Sequence, residues 1–179
     1  MKRIGKLVLI LSVVFVSGAW GQEAGCKFSP FWAEFHKENM ERWNQCEHTL
    51  NVNNVGNLSV KWSSSVDSDG SEPAVADGVV YIGGGASVYA LNAKTGVELW
   101  SYTTGNGVGS SPAVANGVVY IGSDDNNVYA LNAKTGAKLW SYTTGDYVLS
   151  SPAVANGVVY VGSNDGNVYA LNASTGTLL

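Results

Sequence analysis

Short apolar runs separated by polar turns dominate the second half of the chain. In residues 111–140, three turn signals separate runs rich in Val, Tyr and Ile. Each run is long enough for a β-strand and too short for a helix. The pattern predicts four antiparallel strands in this stretch, and we expect an all-β fold.

Each predicted turn contains residues that suit it. Asn116-Gly117 tolerates the positive φ angles of a type I′ hairpin. The second turn covers residues 124–127, and the third ends at Gly136, which can adopt a left-handed conformation without steric cost. Pro112 opens the first strand, where a missing N–H does no harm.

The same pattern recurs at a period of 40 residues. Residues 101–139 and 141–179 are identical at 30 of 39 aligned positions. The preceding copy is shorter, because Trp62 and Trp100 lie 38 positions apart whereas Trp100 and Trp140 lie 40 apart. The two residues that the shorter copy lacks both fall in predicted connections between strands, as expected if strand pairing fixes the register. Four antiparallel strands in about 40 residues form one blade of a β-propeller.

The spacing of Ala, Asn, Gly and Trp in each copy resembles that of the quinoprotein-like, or PQQ-type repeat, β-propellers. Their tryptophan-docking motif has Ala, Asp or Asn two positions on, Gly six on and Trp ten on. The motif occupies Ala90, Asn92, Gly96 and Trp100, then Ala130, Asn132, Gly136 and Trp140, then Ala170, Asn172 and Gly176. The resemblance covers residues 43–179 and implies that each indole lies on the backbone of the neighbouring blade, as a structural contact.

The resemblance also implies that the propeller is incomplete. Rings of this kind contain about seven or eight blades, whereas this chain provides about three. We expect residues 51–179 to be an incomplete set of repeats, and the chain to be the N-terminal fragment of a longer protein. Leu58 and Trp62 are the expected core anchors of the lead-in, with Trp62 on an outer strand.

Two segments precede the repeats. Residues 1–21 resemble a secretory signal, with three basic residues before an apolar run of ten that is too short to span a bilayer. Residues 22–50 are an extension in which we expect a short helix and, in an oxidising compartment, a disulfide between Cys26 and Cys46. Lipidation at Cys26 fits poorly, because an acidic residue stands where a lipobox requires an apolar one. We predict an exported protein, periplasmic or extracellular, without a transmembrane span after cleavage.

No metal or catalytic constellation stands out. The only soft ligands match no compact zinc pattern; they are Cys26, His36, Cys46 and His48. The acidic turns at 124–127 and 164–167 have one or two carboxylates each, and we interpret them as hairpin tips rather than calcium loops. The serine pairs at 110–111 and 150–151 lack a recurring His and are interpreted as strand-edge residues.

Quinone-dependent dehydrogenases of the superfamily hold pyrrolo-quinoline quinone (PQQ) and calcium at the ring centre, and many stack the quinone on a disulfide between adjacent cysteines. This chain has no adjacent cysteine pair, and its near-uniform blades suggest no distinctive charged residue. We expect no cofactor in this segment, and PQQ with calcium is implied only if the full-length protein is an enzyme.

Charge and fold leave three functional hypotheses. Removing residues 1–21 takes away three of ten basic and none of fourteen acidic residues, so the remainder has a net charge of −7 and nucleic acid is excluded as a partner. The first hypothesis is a secreted or periplasmic scaffold without catalysis, which binds a protein, small molecule or glycan on its blade loops. The others are the N-terminal part of a PQQ-dependent dehydrogenase whose active-site blades are missing, and a carbohydrate- or surface-binding repeat protein with Tyr147 as its one loop aromatic.

Overall fold

A computed structural model of the protein describes residues 51–68 and 70–179, and its regular structure is almost entirely β. A 3-10 turn at Val55–Asn57 precedes the strands. The first blade contains β1 (Ala74–Ala76), β2 (Val79–Gly84), β3 (Ser87–Asn92) and β4 (Glu98–Thr103). The second contains β5 (Ala113–Ala115), β6 (Val118–Gly122), β7 (Asn127–Asn132) and β8 (Lys138–Thr143). The third contains β9 (Ala153–Ala155), β10 (Val158–Gly162) and β11 (Val168–Asn172).

The hairpins form where the sequence predicts them. In the β5–β6 turn, Asn116 and Gly117 have φ angles of 51° and 75°, as a type I′ turn requires. Asp77 and Gly78 repeat this geometry in the first blade, at 49° and 75°. Gly136, at the end of the β7–β8 turn, has a φ of 72° and occupies the left-handed region.

The strands of each sheet pair antiparallel and in chain order. β1 packs against β5 and β5 against β9, so the first strand of each blade lies at the hub and the fourth at the rim. In the third blade only a bridge between Leu171 and Leu178 marks where a fourth strand begins. The predicted partial propeller of four-stranded antiparallel blades is confirmed, with two complete sheets and one of three strands.

The hydrophobic core lies between the blades. The first cluster joins Tyr81 and Val88 of the first blade to Ile121 and Leu131 of the second. The second cluster joins side chains of the second blade, such as Val128 and Trp140, to those of the third. Because the second blade is covered on both faces, its apolar side chains are the most completely buried.

The antiparallel order gives the arc two distinct sides. One side, here called the loop face, carries the β2–β3, β6–β7 and β10–β11 turns and the loops 104–112 and 144–152 that lead from one blade to the next. The opposite side, the turn face, carries the β1–β2 and β3–β4 turns and their equivalents. Each blade therefore repeats the same set of connections on the same side.

Two expectations from the N-terminal half have different outcomes. Leu58 is predicted to be a core anchor, but it is 57% exposed, because no strand among the described residues packs on it from a preceding blade. That expectation is wrong. The predicted signal at 1–21, the extension at 22–50 and the pairing of Cys26 with Cys46 lie outside the described residues and remain predictions.

Candidate functional site

The tryptophans of the docking motif contact the next blade along the chain. Trp100 Nε1 donates a hydrogen bond to the carbonyl of Ala133 at 3.0 Å, and Trp140 Nε1 donates one to the carbonyl of Ala173 at 2.9 Å. Trp62 makes the same bond to the first blade, at Ala93, at 3.0 Å. The structure thus places each indole on the backbone of its neighbour.

The motif glycines leave room for these indoles. A Cβ atom added to Gly136 would lie 2.6 Å from Cε3 of Trp100, and one added to Gly96 would lie 2.6 Å from Cε3 of Trp62. Gly176 meets Trp140 at 2.7 Å in the same way. Any side chain at these glycines would displace the ring.

The remaining motif residues shape the strand pair beneath the indole. Asn132 Oδ1 accepts the backbone N–H groups of Lys134 and Thr135 at 3.0 Å each, which closes the β7–β8 turn. Asn92 and Asn172 close the corresponding turns in the other blades. Three alanines pack in the sheets at the position before these turns; they are Ala90, Ala130 and Ala170.

A tyrosine shares the carbonyl acceptor of Trp100 and of Trp140, a contact that the sequence alone does not reveal. The Tyr81 hydroxyl donates to the Ala133 carbonyl at 3.1 Å, and its ring lies 5.9 Å from that of Trp100 at 45°. Tyr120 repeats this contact at the Ala173 carbonyl. Tyr recurs at this strand position in the sequence. That recurrence predicts a buried strand residue but not its hydrogen bond, because the acceptor lies on the neighbouring blade.

Serine hydroxyls connect the blades at the hub by hydrogen bonds. Ser111 Oγ accepts the backbone N–H of Glu72 at 2.9 Å, and Ser151 Oγ accepts the backbone N–H of Ser111 at 3.1 Å. Ser110 is fully buried; its hydroxyl donates to the Ser150 carbonyl at 2.9 Å and accepts the Gly122 N–H at 3.1 Å. Ser110 and Ser111 lie just before β5, and both are buried where the inner strands converge.

Glu72 is a distinctive charged residue that the sequence analysis overlooked. It occupies the position held by Ser111 and Ser151 in the later blades, directly before the proline that precedes β1. Its side chain is exposed at the loop-face end of the hub. The signal was available in the alignment of the copies, where a carboxylate replaces a recurring hydroxyl.

A carboxylate bridges the blades on the loop face. Asp125 Oδ2 accepts the N–H of Gly105 from the preceding blade at 2.7 Å and the Tyr129 hydroxyl at 2.6 Å. Asp165 makes the equivalent bonds to Gly145 and Tyr169, at 2.7 and 2.6 Å. The first blade has no such aspartate in its shorter β2–β3 turn.

These contacts keep both carboxylates ionised. Burial alone would raise the pKa of Asp125, but the hydrogen bonds from Tyr129, Gly105 and Asn127 outweigh it and lower the pKa. The hydrogen bond from the Tyr169 hydroxyl is the largest cause that lowers the pKa of Asp165 to about 2. Both groups therefore carry a full negative charge at neutral pH.

The described residues do not fit PQQ or its calcium. They contain no arginine, histidine or cysteine, and their four lysines lie away from the loop-face end of the hub. Glu72 and two serine hydroxyls line the described hub there, whereas a quinone with three carboxylates requires cationic donors and Ca²⁺ takes six to eight oxygen ligands. Across 51–68 and 70–179, no group of three or more His, Cys, Asp or Glu side chains could hold a metal ion. In the same residues, no helix has the length and apolar character needed to cross a membrane.

Comparison with characterised proteins identifies the family. A family model described as outer membrane protein assembly factor BamB matches residues 42–179. Lupanine 17-hydroxylase [cytochrome c] of Pseudomonas sp is 33% identical over 106 residues, which cover 54% of this chain and 15% of that protein. Quinoprotein alcohol dehydrogenase PedE of Pseudomonas putida is 41% identical over 70 residues, covering 36% of this chain and 11% of that protein. The chain thus spans a small part of the length of these relatives.

Solved structures show the same architecture. Quinohemoprotein alcohol dehydrogenase from Comamonas testosteroni superposes with a TM-score of 0.75 at 25% identity, covering 83% of this chain and 26% of that chain. BamB from Moraxella catarrhalis superposes with a TM-score of 0.57 at 24% identity, covering 66% of this chain and 38% of that chain, which shows a shared fold. Since the family match also extends over most of the chain, the protein belongs to the PQQ-type repeat β-propellers, in the family described as outer membrane protein assembly factor BamB.

Proposed function

We propose that the described repeats act as a non-catalytic scaffold that binds a partner through the loop face. One observation carries this proposal: the recurring polar side chains are engaged in holding blades together. The Trp100 indole, the Ser111 hydroxyl and the Asp125 carboxylate each hydrogen-bond to a neighbouring blade. Groups held in this way stabilise the arc. The other residues of the loop-face connections can differ in sequence from blade to blade, as residues of a binding surface do.

We further propose that this scaffold acts outside the cytoplasm. The support is the sequence of residues 1–21, whose basic start and short apolar run are typical of a secretory signal. The family description names an outer membrane assembly factor, and assembly of outer membrane proteins takes place beyond the inner membrane.

The second candidate is the N-terminal part of a PQQ-dependent dehydrogenase. The curated relatives favour it, because two of them are a hydroxylase and a quinoprotein alcohol dehydrogenase. The chain covers 15% and 11% of these proteins, so the blades that bind the cofactor would lie elsewhere in a longer protein. In that case the three described blades would support the ring without contributing the active site.

A dye-linked assay on the full-length product of the gene separates the two candidates. The purified full-length protein is incubated with PQQ, calcium chloride and a primary alcohol, and the reduction of an artificial electron-acceptor dye is followed. We expect no alcohol-dependent reduction above that of PQQ alone, with an intact quinoprotein alcohol dehydrogenase as the positive control. Dye reduction that requires the chain, PQQ and alcohol together would overturn the scaffold proposal.

A further inference from the structure

The second and third repeats differ most in the loop that joins one blade to the next. Of the nine positions that differ between residues 101–139 and 141–179, three lie close together in the loop 144–152. Asp146, Tyr147 and Leu149 replace Asn106, Gly107 and Gly109, and we call these three residues the loop patch. A glycine-containing loop has thus gained a charge and two apolar side chains.

The backbone of the loop does not require these side chains. The Tyr147 carbonyl accepts the Asn164 N–H at 2.9 Å, as the Gly107 carbonyl accepts the Asp124 N–H at 2.8 Å. Val148 is fully buried, as Val108 is in the preceding loop. Both loops are therefore anchored alike, whether glycine or a larger residue occupies the patch positions.

The apolar members of the loop patch face solvent. Tyr147 is 46% exposed and Leu149 is 47% exposed. Val148 between them is fully buried, and Ser150 after them is half-buried. A Cβ atom added to Gly107 would lie 2.9 Å from Oδ2 of Asp124, whereas Tyr147 has Asn164 at the corresponding position. The neighbouring turn has therefore changed together with the tyrosine.

The charge around the loop patch is of one sign. Six described carboxylates lie on the loop face: Asp67, Glu72, Asp124, Asp125, Asp146 and Asp165. None of the lysines among residues 51–68 and 70–179 lies on this face; Lys94 and Lys134 belong to the turn face, and Lys61 and Lys138 to the rim. An exposed apolar pair in a negative field is complementary to a segment that is both basic and apolar.

We propose that the loop patch binds an extended, lysine- or arginine-rich polypeptide segment that also carries an apolar side chain. The apolar side chain packs against Tyr147 and Leu149, and the cationic groups lie near Asp146 and over the tyrosine ring. This inference rests on the proposed scaffold function and names the chemistry of its partner.

A polypeptide suits this surface better than a neutral glycan. Asp165 already accepts three hydrogen bonds, from Gly145, Asn167 and Tyr169, and Asp146 Oδ1 accepts the Tyr147 N–H at 2.8 Å. Such carboxylates act on a partner mainly through their charge, because several of their directional acceptor positions are occupied. A neutral sugar gains little from charge, whereas a cationic side chain gains from every carboxylate on the face.

The test uses a fluorescein-labelled peptide of alternating lysine and leucine, with a glutamine-for-lysine peptide as its matched control. Binding to the full chain is followed by fluorescence anisotropy. We expect the lysine peptide to bind at low salt, and its affinity to fall about tenfold between about 20 mM and about 200 mM sodium chloride. We expect the glutamine peptide to bind at least about tenfold more weakly.

The sharpest variant changes the loop patch into the preceding loop of the same chain, by Asp146→Asn, Tyr147→Gly and Leu149→Gly. Because Asn106, Gly107 and Gly109 already occupy such a loop, the variant should keep the native circular dichroism spectrum, and it should bind the lysine peptide about tenfold more weakly. Asp146→Asn alone should weaken binding about twofold. The control Lys134→Ser changes the turn face to match Ser174 and should leave binding unchanged.

Three results would overturn the proposal: equal binding by wild type and the loop variant, equal binding of both peptides, or Tyr147-dependent binding of a neutral oligosaccharide in place of the peptide. None of these requires dehydrogenase activity. If the peptide does not bind, the proposed scaffold function is unaffected. PQQ-dependent activity in the dye assay would contradict the scaffold function whatever the peptide result.

Discussion

Contacts between blades pair a glycine on one blade with a larger side chain from the other. The Trp100 ring packs against Gly136 at the rim, and the Val148 side chain packs against Gly122 nearer the loop face. In both pairs the absence of a side chain on one blade makes space for the side chain of the next. The fit depends on close packing, where even a single methyl group displaces its neighbour.

Replacing Trp100 with alanine should destabilise the arc. Trp100→Ala removes a half-buried indole and its hydrogen bond to the Ala133 carbonyl, and we expect the free energy of unfolding to fall by about 3 kcal/mol. Urea denaturation followed by circular dichroism measures this loss. Tyr147→Ala, which truncates an exposed aromatic ring, is the control and should change stability little. An unchanged urea denaturation midpoint for Trp100→Ala would contradict a stabilising role for the docked indole.

The aspartate bridge should make stability depend on acid. The pKa of Asp125 is lower in the folded protein than the ordinary value of 3.8, so its carboxylate stabilises the fold above that pH and ceases to do so as the pH falls below it. We expect Asp125→Asn to lower the free energy of unfolding by about 1 kcal/mol at pH 7, since hydrogen bonds to Gly105 and Tyr129 weaken. Denaturation curves from pH 7 to pH 3 should show the difference between variant and wild type shrinking below about pH 4. A difference that stays constant over this range would argue against an ionised bridge.

The inner strands are joined by buried serines, which makes the hub sensitive to small changes. Ser110→Ala leaves the Gly122 N–H without its hydroxyl acceptor in a buried position, and we expect a loss of about 2 kcal/mol in stability. Thermal denaturation of this variant can be compared with Ser101→Ala, whose hydroxyl lies at the surface beside Glu98 and should contribute little. Equal melting temperatures for the two variants would contradict a structural role for Ser110.

Local pattern predicted the elements, and the contacts between elements required the structure. Asn116-Gly117 indicated its hairpin because turn geometry depends on adjacent residues, and the φ angles in the structure agree. Ser110 could not be interpreted in this way, since its partner Ser150 lies 40 residues away in the chain. Leu58 failed as a predicted anchor for the same reason, because burial depends on which strands are present to cover it. The loop patch was visible only in part: Tyr147 stood out as a loop aromatic, but its exposure and the one-sided charge did not.

The last described blade differs from the middle one because it has a neighbour on one face. Tyr160 is 43% exposed whereas its equivalent Tyr120 is 3% exposed, and Val168 is 79% exposed whereas Val128 is fully buried. In a linear array each blade gains stability from its own sheet and from its contacts with adjacent blades. Among the described residues, the third blade therefore lacks part of the stabilisation that the second has.

Hydrogen exchange should reveal this gradient. We expect the amides of β6 and β7 to exchange at least about tenfold more slowly than those of β10 and β11. Opening the third blade disrupts only the second core cluster, whereas opening the second blade disrupts both clusters. Mass spectrometry of peptides from the two blades gives the comparison, and their near-identical sequences serve as an internal control for intrinsic exchange rates. Equal protection in both blades would show that the array unfolds as one cooperative unit.

The sameness of the junctions has a consequence for how the array can change in length. Trp100 meets Ala133 and Gly136 as Trp140 meets Ala173 and Gly176. If residues 101–140 were removed, Trp100 would stand where Trp140 stands and would find the same carbonyl and the same glycine on the following blade. Duplication or deletion of the gene segment that encodes one 40-residue unit would therefore add or remove a blade, and the blades on either side would pack through the existing type of interface.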